Sequence, residues 1–280
     1  MRANALRSAK PAHVRRVLAG HVPLYRSETL WRHGVRHAFF TRHGGVSAPP
    51  FDTLNLSLSV GDEEAAVAEN HRRAYRALGL DPRRAVRVRM VHGTRVAVVG
   101  DHHAGRVLPA TDGLTTATLH LTLAMTFADC QPILLYDPAR HAVALAHAGW
   151  RGALGGIALA LVRAMEVAWG TRPEHLIAVL GPAIGVCCYE VGEDVVRAAG
   201  RWPAGMRWFV PNGEGRVHLN LTAANADVLR WAGVRHVEAL HLCTACHTDE
   251  FFSYRAEKPV TGRLGVLVAL EPGQSGLTAG

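Results

Sequence analysis

Leu119–Gly152 reads LHLTLAMTFADCQPILLYDPARHAVALAHAGWRG, and its pattern decides the fold class. Leu119 to Phe127 alternates and then turns apolar. Ile133 to Tyr136 and Ala142 to Ala146 are short continuous apolar runs, the mark of strands buried on both faces. Gly152 to Trp169 follows with apolar residues on several faces, and the spacing predicts one long buried helix. On the N-terminal side, Val35 to Thr41 reads as a strand that enters a glycine turn at Arg42-His43-Gly44-Gly45. Glu63 to Leu78 has the spacing of an amphipathic helix, with Gly79 placed to end it. Arg87 to Val91 and Thr94 to Val99 read as further strands. On the C-terminal side, Leu176 to Leu180, Val237 to Leu242 and Arg263 to Leu270 read as strands, and Gly192 to Ala199 and Thr222 to Trp231 as helices. The expectation is α+β: a single domain of mixed β-sheets flanked by helices, layered α/β/β/α. Residues 25–270 form that domain, 1–24 a basic N-terminal extension and 271–280 a flexible tail.

The chain has 280 residues, 49% of them hydrophobic and 19% charged, enough apolar material for a large core. Its 31 basic and 23 acidic residues leave a net charge of +8. Arginine carries nearly all of it, since Lys10 and Lys258 are the only lysines, and no basic run is interleaved with aromatics. That argues for a basic surface rather than a nucleic-acid groove. No run approaches the roughly 18 apolar residues of a membrane span. The N-terminal stretch lacks the apolar run and cleavage site of a secretory signal. The expected location is the cytoplasm, with no membrane partner, as a monomer or weak homodimer. An odd number of cysteines (five) argues against a disulfide framework.

His92, Cys130 and His147 each follow an apolar run, and side chains at strand ends converge rigidly at a sheet edge. Two imidazoles and one thiolate are a set zinc accepts, leaving a fourth position for water or substrate. Copper is the alternative, because His2Cys with a weak axial methionine is the blue-copper set and Met90 and Met125 lie near two of the ligands in sequence. A Cys130–His147 hydrolase dyad uses the same side chains. Asp129, beside Cys130, is a candidate general base or ligand-orienting carboxylate. Cys243-Thr-Ala-Cys246-His247 matches a haem attachment pattern that requires export, and no second CxxC completes a four-thiolate site. Cys187 and Cys188 are expected as small core residues.

The motifs then converge. Thr41-Arg42-His43-Gly44-Gly45-Val46-Ser47, Leu54-Asn55-Leu56, Val91-His92-Gly93, Ala128-Asp129-Cys130-Gln131-Pro132 and His147-Ala148-Gly149-Trp150-Arg151-Gly152 occur in this order. Gly181-Pro182-Ala183-Ile184-Gly185, Cys243-Thr244, Phe251-Phe252-Ser253-Tyr254-Arg255 and Thr261-Gly262-Arg263 follow. Together they resemble the purine nucleoside phosphorylase family long labelled laccase-domain or polyphenol oxidase proteins, over roughly Val35 to Leu270. The resemblance implies zinc on His92, Cys130 and His147, phosphorolysis of adenosine, inosine, guanosine and methylthioadenosine, and adenosine deamination as a second activity. Some members of that family are described instead as copper oxidases or peptidoglycan editing factors.

Two departures stand out. Met90 occupies a position where that family usually has glutamine, and His71 follows Asn70 where it usually has arginine. Phosphorolysis needs an anion site, and arginine binds phosphate bidentately. Arg42, His71 and Arg151 are the candidate phosphate contacts, with Asn55 as a polar contact to sugar or base.

Overall fold

The structure is a computed structural model and describes residues 14–213, 215–258 and 260–272. It begins with a hairpin of β1 (Val14–Ala19) and β2 (Val22–Ser27), joined through Gly20 at a left-handed φ of 63°. This corrects the expected extension over 1–24 from Val14 onward; residues 1–13 of it lie outside the described residues. Arg15 and Arg16 are exposed on β1 while Val22, Leu24 and Tyr25 are buried, so the basic residues of the exposed face hid a strand. Ser27 caps the short α1 (Glu28–Arg32) by accepting from the Leu30 N–H.

The chain continues through β3 (Val35–Phe40), α2 (Glu64–Leu78), β4 (Ala85–Val88), β5 (Val96–Val98), β6 (Val107–Leu108) and β7 (Gly113–Thr116). Next come β8 (Thr122–Phe127), β9 (Gln131–Asp137), β10 (Ala142–Ala148), α3 (Trp150–Gly155), α4 (Ile157–Trp169) and β11 (Ile177–Leu180). The remainder is β12 (Glu190–Val191), α5 (Glu193–Ala199), β13 (Phe209–Pro211), β14 (Val217–Leu219), α6 (Leu221–Trp231), β15 (His236–Ala239) and β16 (Leu264–Leu270).

Two mixed sheets stack. One runs β1-β2-β3-β16-β8-β4-β6 and the other β15-β11-β9-β10-β7-β5, with a small sheet β12-β14-β13 beside them. Most pairs are antiparallel; β4 lies parallel to β6 and β8, β5 to β7, and β11 to β15. The side chains of β9 explain its unbroken apolar run. Leu134 and Tyr136 enter the core between the sheets, whereas Ile133 and Leu135 pack under α4 and α6. β10 divides likewise, Val143 and Leu145 inward and Ala144 and Ala146 toward the helices. A strand covered on both faces has no polar face to show. On the far side, Ala74, Tyr75 and Leu78 of α2 cover Phe40, Ala124 and Leu267. The layering is α/β/β/α.

The single helix expected over Gly152 to Trp169 is two. Gly156 takes a φ of 96°, ends α3 and caps the start of α4. A Cβ there meets strain from that φ and comes within 3.4 Å of the Trp202 ring, so the glycine serves the break. Among the described residues, no helix is long and apolar enough to cross a membrane.

Candidate metal centre

Cys130 occupies the short crossing between β8 of one sheet and β9 of the other. His147 sits one residue before the end of β10, opposite Pro132 of β9. His92 follows β4 in a loop with left-handed φ 59°. The metal-ligating atoms of these three side chains all lie within 4.8 Å of one another. The two imidazoles meet edge to face, 4.9 Å between centroids. His147 is buried, Cys130 partly buried and His92 exposed, so the cluster opens to solvent on the His92 side.

Gly149 makes room for it. A Cβ there would lie 2.8 Å from His92 Cδ2 and 3.0 Å from Cys130 Sγ, so no larger residue fits without moving a ligand. Gly152 allows a second close approach, its Cβ position lying 3.0 Å from the Gly93 carbonyl.

Asp112, which the sequence reading missed, organises both histidines. Its buried carboxylate accepts from the backbone N–H groups of Val91 (3.1 Å), His92 (2.9 Å) and Gly93 (2.9 Å). It also accepts from His147 Nδ1 at 3.1 Å, while the His147 N–H donates to the Asp112 carbonyl. The carboxylate thereby stabilises the left-handed turn at His92 and fixes the His147 ring with Nε2 free for a metal, the usual carboxylate–histidine–metal relay. The backbone of His92 needs a cap, but nothing in spacing assigns that cap to a residue 20 positions away.

Electrostatics follow from the packing. Burial alone raises the Cys130 thiol, yet the His147 charge and hydrogen bonds from His147 and His92 outweigh it and bring the thiol down to about 6. Burial lowers His147, but the Cys130 thiolate and the Asp112 carboxylate lift it to about 9. A thiolate already favoured without metal is the form a metal requires.

Asp129 is held rather than open. It has φ 77°, and its carboxylate accepts from Thr244 Oγ1 (2.6 Å), Ser253 Oγ (2.7 Å) and the Arg255 N–H (2.7 Å). Its carbonyl accepts from the Ile184 N–H at 2.9 Å. Three loops therefore converge on the residue preceding Cys130.

Comparison with known proteins agrees with this architecture. Residues 36–271 match the family model described as multi-copper polyphenol oxidoreductase laccase. The chain belongs to that laccase-like family. A relative from Deinococcus radiodurans, named purine nucleoside phosphorylase, is 41% identical over 91% of this chain and 96% of its own. A second, purine nucleoside phosphorylase ORF3 of Streptomyces griseus, is 42% identical over 85% of this chain and 96% of its own. The crystal structure of YlmD from Geobacillus stearothermophilus superposes with a TM-score of 0.85 at 34% identity, covering 89% of this chain and 96% of that one. Within this laccase-like family, the copper-oxidase description and the phosphorylase names belong to the same fold.

The remaining candidates divide. Arg42 is buried, donating to Asp52, to Glu257 at 2.8 Å and to the Thr248 carbonyl at 2.5 Å, with its guanidinium over Phe252; the structure uses it to tie loops together. Asn55 is fully buried between Ser57, Asp62 and the Arg263 N–H. His71 lies on α2 beside Tyr75; burial, then the charge of Arg87, holds its pKa below the ordinary value. Arg151 stays exposed, stacked over Trp150, and makes no ion pair among the described residues. Met125 is buried between the sheets and Met90 packs against the same core.

Arg263 belongs to the Thr261-Gly262-Arg263 motif. It is half-buried; burial lowers its pKa, and Asp129, Cys130 and Tyr254 counter this. Its guanidinium donates to the Thr261 and Gly262 carbonyls.

Proposed function

We propose that the protein is a zinc-dependent purine nucleoside phosphorylase acting on adenosine, inosine, guanosine and methylthioadenosine, with adenosine deamination as a second activity of the same centre. The observation that carries this reading is the carboxylate-oriented His92–Cys130–His147 cluster, open at His92. The names of the relatives support the substrate class. The donor set fits zinc: two imidazoles and one favoured thiolate, with Gly149 clearing the space beside them. Bound there, zinc supplies a Lewis acid for polarising oxygen at neutral pH.

The chain's own residues supply the rest. Asp112 holds His147 in the tautomer that presents Nε2. Arg151 and Arg263 are the basic groups assigned to phosphate, one exposed and the other in the electrostatic neighbourhood of Cys130. Asp129 is assigned to hold Cys130 in place, its carboxylate accepting from Thr244, Ser253 and the Arg255 N–H.

The deciding experiment incubates metal-analysed protein with adenosine, with and without phosphate, and identifies the products. Phosphate-dependent adenine and ribose 1-phosphate support phosphorolysis, and inosine supports deamination. Neither product, or copper with phenol oxidation, overturns the reading. A second reading has its own observation: Asp112, His147 and Cys130 form a carboxylate–imidazole–thiol chain of the kind used in cysteine hydrolases. Activity that survives chelation and dies with a thiol alkylator would select it.

A further inference from the structure

Four cysteines that take no part in the proposed chemistry gather at one place. Cys187 and Cys188 follow β11, and Cys243 and Cys246 follow β15; β11 and β15 are parallel neighbours, so both loops leave the same sheet end. The four Sγ atoms lie within 4.8 Å of one another. Cys246 Sγ is 3.3 Å from both Cys187 Sγ and Cys188 Sγ. The sequence reading expected Cys187 and Cys188 as core residues and found no partner for Cys243-x-x-Cys246. Instead Cys187 and Cys246 are exposed, Cys188 partly so, and Cys243 alone is buried.

We propose that Cys187, Cys188, Cys243 and Cys246 form a second metal site, a four-thiolate centre for a single thiophilic divalent ion such as zinc. Four thiolates around zinc, at about 2.3 Å each, stand about 3.8 Å apart in a tetrahedron, which the clustering matches. The 3.3 Å separations are too long for a disulfide, whose sulfurs stand about 2.05 Å apart. An iron–sulfur cluster spreads its thiolates wider than one ion does. An all-sulfur set selects against magnesium and calcium. The backbone is shaped to match. The Gly185 N–H donates to Cys243 Sγ at 3.2 Å, and the Cys246 N–H also bonds that sulfur. Gly185 lets the loops pack closely, since a Cβ there would lie 3.0 Å from Cys243 Cβ and 3.2 Å from Cys187 Sγ and would press on both cysteines. Ala183 and Cys243 form a parallel bridge that zips the two loops.

The site braces the first centre. Ile184 and Thr244, one from each loop, both bond Asp129, the residue before Cys130. Arg255 donates its backbone N–H to Asp129 and its guanidinium to the Cys188 and Glu190 carbonyls. A metal tying the two loops holds three of the contacts that position Cys130.

The test counts metal in full-length protein purified under reducing conditions: wild type, Cys130→Ala and Cys188→Ser/Cys246→Ser. Two ions per chain are expected in wild type and one in each variant. The ion kept by Cys130→Ala, exchanged for cobalt, should show the intense near-ultraviolet thiolate charge-transfer bands of four sulfurs. Should the double variant fail to fold, Cys187→Ser alone, at an exposed position, must weaken those bands. A single wild-type ion that Cys130→Ala removes, or an intact mass two daltons light from a disulfide among the four, overturns the proposal. The ion retained in Cys130→Ala is counted without any nucleoside assay, so this result stands apart from the fate of the phosphorylase reading.

Discussion

The His92–Cys130–His147 cluster and the four-cysteine cluster differ in what completes them. The first has three donors, an exposed histidine and an oriented carboxylate behind it. The second has four sulfurs and backbone N–H groups pointed at one of them. An incomplete set with a supporting carboxylate leaves room for a reactant; a complete set leaves none and serves only to hold loops. Composition alone did not separate them, since both are cysteine-bearing and lie at strand ends. Their surroundings do.

The largest effect that tests this contrast is at Asp112. Asp112→Ala removes the acceptor for three backbone N–H groups and for His147. We expect a loss of about 3–5 kcal/mol in stability, because buried His147 and three partly buried backbone N–H groups lose their charged partner, and a 10–100-fold loss in metal affinity at the first centre. Metal titration with thermal melting reads both. An equal loss at the cysteine cluster would break the distinction.

Two buried histidines sharpen it next. His147 has an acid beside it, whereas His37 has none bonded to its ring: its Nε2 accepts from the Ser27 N–H and its Nδ1 donates to the Val35 carbonyl. Burial pushes His37 from 6.5 down to about 4. Between those values the unfolded chain binds a proton that the folded chain refuses. Stability contributed by neutral His37 is therefore complete above pH 6.5 and falls as pH drops toward 4, by about 3 kcal/mol. Denaturant melts of wild type and His37→Gln across that window should differ in slope. Identical slopes would refute the assignment.

The smallest effect is at Gly149. Its backbone, φ −71°, accepts any residue, so Gly149→Ala should fold normally. Its Cβ would press on His92 and Cys130, and we expect first-centre metal affinity to fall roughly 10-fold, about 1.4 kcal/mol. Unchanged affinity would show that the ligands give way freely.

The sheets were legible in the quoted stretch because β9 and β10 are covered on both faces, which leaves an unbroken apolar signal. The β1–β2 hairpin was not, since Arg15 and Arg16 on its exposed side read as a basic tail. The break at Gly156 was hidden because apolar residues continue across it into α4. At the site, the three candidate ligands were legible from motif and strand-end position. Arg42 and Asn55 carried the same motif signal, yet their polar groups are taken up by internal partners. Asp112 and the four-cysteine grouping needed the fold. One works through backbone groups that any residue has, and the other joins loops 59 positions apart through the pairing of β11 with β15.

Metal on His92, Cys130 and His147 is proposed to perform the nucleoside chemistry. Cys130→Ala tests it most directly, with metal content and adenosine turnover measured on the same sample. We expect loss of one ion and of phosphate-dependent adenine release together. Full turnover in a variant that has lost the ion would contradict it.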